Sequence, residues 1–273
     1  MIEPSPSLAA NGDAPGSVGD LRERIDAIDD AMLDLFVQRM ALAPALKAAK
    51  GGAEGVSAMR PSREVRVLQR LIARAGPQIQ DQSVIDVWRQ IMAASLNAQT
   101  EIEVALAGTG DLGRYQDVAR RYFGHGVRFT REAEVRVALN RAVDNDRIVA
   151  VVPWPRASGS GAWWPCLTET RYHCLTMIGG LPMRGEAEVA LFARANLFEP
   201  TGQDESLALA YDPHHRLTRC LNAAQLTGRE LGRASDKLLL LLDGFVPPDD
   251  PRLVEALRSG LDGLRVIGCF SRV

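Results

Sequence analysis

The sequence predicts a multidomain chain: an all-α segment of three helices, then an α/β piece, then an α+β piece. Three observations carry this. Up to residue 102, apolar residues recur at helical spacing with almost no strand pattern. From 103 to 186, β-rich runs such as "EVALA" and "RIVAVVPW" flank a glycine-rich turn and a helix. From 187 to 273, strand patterns dominate, with two short helices between or after them.

Residues 1–18 are rich in Pro, Ser, Gly and Ala and read as a disordered tail. They lack the basic and apolar regions of a secretory signal. The first helix runs from about 19 to 50, with Ser17 or Asp20 as cap and Gly51 and Gly52 as its end. Pro44 falls inside it, removes a backbone donor and should kink it. "PSREVRVLQRLIARAG" is a second helix, with Pro61 in its first turn and Gly76 at its end. "SVIDVWRQIMAASLNAQTEI" is a third, with Val84, Trp88, Ile91, Ser95 and Gln99 on one stripe. Further strands are "GVRF", "EVALFARANL", "SLALAYD", "KLLLLLDGF" and "RVIGCFSRV". Helices are expected near Thr218–Gln225 and in "DPRLVEALRSG".

A formal net charge of -2 argues against a nucleic-acid binder, which would normally be basic. No apolar run is long enough to cross a bilayer. Cys166, Cys174, Cys220 and Cys269 make no CxxC pair and read as inert thiols of a reducing cytoplasm. His125, His173, His214 and His215 lack metal-ligand spacing. Trp154, Trp163 and Trp164 read as cover for apolar surface.

The informative residues are polar ones on apolar stripes. On the first helix the inward series is Leu21, Ile25, Ile28, Met32, Leu35, Arg39, Leu42 and Leu46. Lys50 lies three turns beyond Arg39, only about 20° away around the axis. Arg60, Arg63 and Glu64 open the second helix, and Ser95 and Gln99 sit on the third. An unpaired buried cation costs several kcal/mol. An anionic ligand held between helices would compensate. Arg22 lies about 100° from Arg39 and could reach such a pocket only from a second chain in a symmetric dimer.

"LRERIDAIDDAMLDLFVQRMALAPALKAAK", "RPSRE" and the spaced Ser95 and Gln99 resemble the all-helical chorismate mutases across residues 19–102. The resemblance implies an intertwined three-helix dimer that rearranges chorismate to prephenate and needs neither cofactor nor metal. It implies that Arg39 and the partner's Arg22 clamp the substrate carboxylates. Arg63 lines the pocket, and Lys50 and Gln99 donate to the ether oxygen. Glu64 accepts from the ring hydroxyl, Ser95 lies nearby, and Arg60, where the family often has Asp or Arg, is also placed at the substrate site.

"GTGDLG" (108–113) fits the dinucleotide pattern GxGxxG, but "GVRF" ends in Thr130 and Arg131 rather than an acid for a ribose. "VALAGTGDLGRYQDVARRYFG" and "RIVAVVPWPRASGSG" are more similar to prephenate dehydratases over residues 103–186. Residues 187–273 resemble the ACT domain that follows such enzymes. Pro155, Arg156 and Ala157 stand where that family has Glu-Asn-Ser, and Ala187 stands at its threonine. The middle piece therefore reads as a truncated, inactive α/β half-lobe. The ACT effector signatures are replaced around His214–Arg216 and Leu231–Ala234, which leaves an aromatic amino acid effector possible but unspecified. The expectation is a cytoplasmic homodimeric chorismate mutase. A bifunctional mutase/dehydratase and a non-catalytic regulatory protein are the alternatives.

Overall fold

The computed structural model describes residues 17–49, 55–108, 110–156, 158, 162–195 and 198–273. The expected tail therefore lies outside the described residues up to position 16. Internal contacts divide the chain into two units, Met1–Leu42 and Ala43–Val273.

The first unit holds helix α1 (Val18–Ala41). Ser17 and Asp20 close a capping box: the Asp20 N–H donates to Ser17 Oγ and the Ser17 N–H to Asp20 Oδ2. No residue of α1 is buried, and Leu21, Ile25, Ile28, Met32 and Leu35 are all exposed. The apolar stripe read from the sequence is present and uncovered in the single chain.

The sequence suggests one kinked helix to residue 50; the structure breaks it. α1 ends at Ala41, the Leu42 N–H closes onto the Arg39 and Met40 carbonyls, and α2 (Ala43–Ala49) begins anew. Pro44 explains the break, because its ring would meet the carbonyl four residues back, that of Met40, and it has no N–H to offer.

The second unit continues with a 3-10 turn at Gly55–Ala58, α3 (Pro61–Ala75) and α4 (Asp81–Asn97). Pro61 and Gly76 stand at the start and end of α3 as the sequence suggests. Next come β1 (Glu103–Ala107), α5 (Leu112–Phe123), β2 (Arg128–Glu132), α6 (Val135–Asp144) and β3 (Ile148–Pro153). β4 (Thr176–Leu181) and β5 (Val189–Ala193) follow. The chain closes with β6 (Asp204–Tyr211), α7 (Leu217–Ala223), β7 (Gly228–Ala234), β8 (Lys237–Asp243), α8 (Pro251–Arg258) and β9 (Asp262–Ser271).

Among the described residues all the strands join one nine-stranded sheet in the order β2-β1-β3-β5-β4-β9-β6-β8-β7. β1 pairs parallel with β2 and β3, so α5 and α6 are crossover helices. β5 lies antiparallel between β3 and β4. β6 to β9 with α7 and α8 form a βαββαβ unit whose strands stand in the order fourth, first, third, second. The two portions of the sheet meet where β4 runs parallel to β9, with Met177 opposite Gly268.

One core lies where α3, α4 and α5 meet the sheet. Met59, Val65, Leu68, Ile85, Met92 and Leu96 pack with Val104, Leu106, Phe123, Val149 and Val151. Another core holds Trp154 and Trp164, which bury apolar surface as expected, with Trp163 at its margin.

Candidate active site

α3 and α4 each bring polar residues inward. The Glu64 carboxylate of α3 meets Arg89 of α4, with Arg89 Nη1 donating to Glu64 Oε2 at 2.6 Å. The Tyr122 hydroxyl, near the end of α5, donates to the same oxygen at 2.9 Å. Arg89 Nη2 donates to the Tyr122 carbonyl at 2.6 Å, and its guanidinium lies 3.8 Å from the centre of the Tyr122 ring. The Arg89 side chain is 4% exposed and that of Glu64 15%. Burial opposes the Arg89 charge, but the Glu64 carboxylate outweighs it and holds the guanidinium pKa above its ordinary value. Burial first, and then the Glu64 charge, raise the pKa of the Tyr122 hydroxyl. Among the described residues no donor reaches Glu64 Oε1, so one carboxylate oxygen is held and the other can accept.

Ser95 and Gln99 are both buried. α4 ends at Asn97, and the Gln99 Nε2 donates to the Ser95 carbonyl at 2.8 Å, which closes the helix end. Arg60 caps α3 and donates to the Met59 carbonyl at 2.7 Å. Arg63 is exposed on α3. Arg22 and Arg39 are exposed on α1, in the other unit. Lys50 lies outside the described residues, as does Ala157.

Sequence reading missed Arg89 and Tyr122. The stripe expected on α4 was Val84, Trp88, Ile91, Ser95 and Gln99. In the structure Trp88 and Ile91 are only half-buried, and the inner face runs through Ile85, Arg89, Met92 and Leu96. The same spacing rule fits both stripes, and the second one carries an arginine.

A side-chain carbon at Gly108 would meet Pro153, and one at Gly110 would meet the Tyr115 hydroxyl, so both approaches are filled. Among the described residues no cluster of His, Cys, Asp and Glu could hold a metal, and no helix is long and apolar enough to cross a membrane. The cysteines are free, and burial pushes the Cys166 and Cys269 thiols up to about 11.

Residues 21–100 match the family model of chorismate mutase type II. A bifunctional chorismate mutase/prephenate dehydratase of Stutzerimonas stutzeri is 27% identical over 169 residues, which cover 60% of this chain. That stretch is longer than the mutase segment, so the similarity reaches into the sheet. The chain spans 46% of that relative's length. Among solved structures, a prephenate dehydratase from Streptococcus mutans aligns at 10% identity and a TM-score of 0.43, over 62% of this chain and 99% of that one. One from Arthrobacter aurescens in complex with L-Phe aligns at 14% identity and 0.40, over 62% and 90%. GqqA, described as a novel type of quorum-quenching acylase, aligns at 15% identity and 0.41, over 62% and 95%.

Proposed function

We propose that this protein rearranges chorismate to prephenate in the cytoplasm, as a homodimer, within aromatic amino acid biosynthesis. The observation that carries the reading is the match of residues 21–100 to the mutase type II model. The reaction is unimolecular. It asks for a held conformer and for donors at the ether oxygen, and it needs no nucleophile. Arg39 and the partner copy's Arg22 clamp the carboxylates, Arg being suited to bidentate contact. Arg63 and Arg60 add positive charge beside them. Lys50 and Gln99 donate to the ether oxygen, with Ser95 adjacent to Gln99. Glu64 accepts from the ring hydroxyl through Oε1, the oxygen that Arg89 and Tyr122 leave unengaged.

The exposed α1 stripe supports the dimer, since a second copy of the same helix would cover Leu21, Ile25, Ile28, Met32 and Leu35. Residues 103–186 act as a dehydratase-like scaffold without dehydration chemistry, and residues 187–273 as an ACT-like module open to an aromatic amino acid effector. Ala187 is buried and offers no hydroxyl where the dehydratases carry threonine.

The test is loss of chorismate absorbance with the full chain. Arg39→Ala, at an exposed helix position, should keep the fold and lower kcat/KM on the order of 100-fold or more. A wild-type chain without turnover would leave the non-catalytic alternative. Formation of phenylpyruvate from prephenate would restore the bifunctional one.

A further inference from the structure

A groove lies apart from the Glu64 cluster, where β4 begins and β5 ends beside β9. β5 pairs with β4 so that Ala193 stands opposite Thr176, and β4 pairs with β9 so that Met177 stands opposite Gly268. This register brings Arg194, just past β5, alongside Leu175, just before β4, with Arg265 and Val266 of β9 on the far side. These two strand ends and β9 bound a groove of about 460 Å3, also lined by His173, Cys174, Phe198 and Pro248.

The chemistry of the groove is one-sided. Among the described residues its lining includes Arg194, Arg265 and His173 and no carboxylate. Most arginines of this chain that are held in place are held by an acid, as Arg141 is by Glu103 and Glu132. Arg194 and Arg265 are not. Arg194 Nη1 donates to the Val143 carbonyl at 3.2 Å, and Arg265 Nη2 to the Leu167 carbonyl at 2.7 Å. Neither has a carboxylate within ion-pair distance among the described residues. Burial without a nearby negative charge pushes the Arg265 pKa down, while the guanidinium stays charged. A backbone carbonyl satisfies one donor of a guanidinium that has five, and it cancels no charge. Apart from Thr176, the remaining walls, Leu175, Ala195, Phe198, Pro248 and Val266, are apolar.

The geometry points to a binding site for a small organic anion, a carboxylate or phosphate monoester with an apolar body, held by Arg194 and Arg265. The anionic group takes the two guanidinium forks, and the body lies on Phe198, Pro248 and Val266. The site stands apart from the mutase reading and uses none of its residues.

Cys174 supplies a local readout, because it is exposed and lines the groove. The full chain is treated with N-ethylmaleimide, and alkylation of Cys174 is followed by peptide mass. The probes are phenyl phosphate, benzoate and uncharged benzyl alcohol. One or both anions should slow alkylation saturably, and the alcohol should not. Greater protection by phenyl phosphate assigns the site to phosphate monoesters, and greater protection by benzoate to carboxylates. Arg194→Gln, at an exposed position, should weaken the protection on the order of tenfold while leaving the unprotected rate unchanged. Arg194→Lys should recover part of it. The proposal is overturned if neither anion protects at about 10 mM, if benzyl alcohol protects as well as they do, or if Arg194→Gln protects like wild type.

Discussion

The Tyr122 hydroxyl donates to Glu64 Oε2 across 2.9 Å and 58 positions of sequence. Glu64 lies within the segment that matches the mutase model and Tyr122 lies beyond it. Arg89 completes the cluster by touching both. A carboxylate proposed to meet the substrate is therefore set in place partly by a residue beyond the mutase-matching segment. Tyr122→Phe should cost about 1 kcal/mol, the usual net worth of one hydrogen bond. Glu64→Ala should cost about 3–5 kcal/mol, because it strands a buried arginine. Denaturant unfolding of both variants checks the ratio. The Tyr122 pKa is raised in the folded state, so its contribution is complete below the ordinary tyrosine value of about 10. It is lost as pH climbs toward the higher folded value. Wild type should lose stability in alkali faster than Tyr122→Phe.

The same cluster bears on dissection of the chain. Residues 55–102 share a core with the sheet: Leu68, Met92 and Leu96 pack against strand and helix residues from 104 to 193. A fragment ending at 102 would expose that surface to water at roughly 25 cal/mol per Å2. It should lack a cooperative melt, whereas the full chain should show one. Calorimetry of both checks this. A sharp transition in the fragment would show that α3 and α4 do not need the sheet.

How much of this was legible depended on where each residue's partner lay. The caps of α1 and α3, the break caused by Pro44 and the strands rich in Val and Leu follow from local rules and were readable. β4, "TMIGGL", carries two adjacent glycines, which weaken any strand pattern. β7, "GRELGRA", is an edge strand whose charges hide its alternation. α6 is only 10 residues long, and the residues it packs inward, Ala138, Leu139 and Ala142, are mostly too small to mark an apolar stripe. In the candidate site, Glu64, Ser95 and Gln99 could be picked out because they interrupt apolar stripes. Arg89 could not be weighed in the same way. Its compensating groups are one acid on a different helix and a tyrosine 33 positions further on, and spacing within a helix reports neither.

The junction of the two sheet portions leaves no room at Gly268. An added methyl there would collide with the Met177 carbonyl and side chain. Backbone on one side and a paired strand on the other cannot both yield. Gly268→Ala should destabilise by about 1–3 kcal/mol, the usual range for overpacking. Gly76→Ala is the control. It has open space around it, and its positive φ alone should make it costly, by about 1 kcal/mol. Thermal melts of the two variants compare a steric clash with a purely conformational cost.

Asp250 gives the acid side of the stability profile. Its Oδ1 accepts from the Arg252 N–H at 2.9 Å and caps α8, while Arg252 Nη2 reaches Oδ2 at 2.7 Å. The Arg252 guanidinium holds the Asp250 carboxyl below the usual aspartate range. A depressed folded pKa contributes stability above the unfolded value of about 3.9 and loses it as pH falls toward the lower folded value. Asp250→Ala should therefore cost about 1 kcal/mol near neutral pH and progressively less below about pH 4. Pro251 and the rest of α8 are unchanged in that variant, so the narrowing gap isolates the carboxylate. Denaturation midpoints of the two proteins measured from neutral to acid pH test it, and a gap that stays constant would mean the cap contributes nothing through its charge.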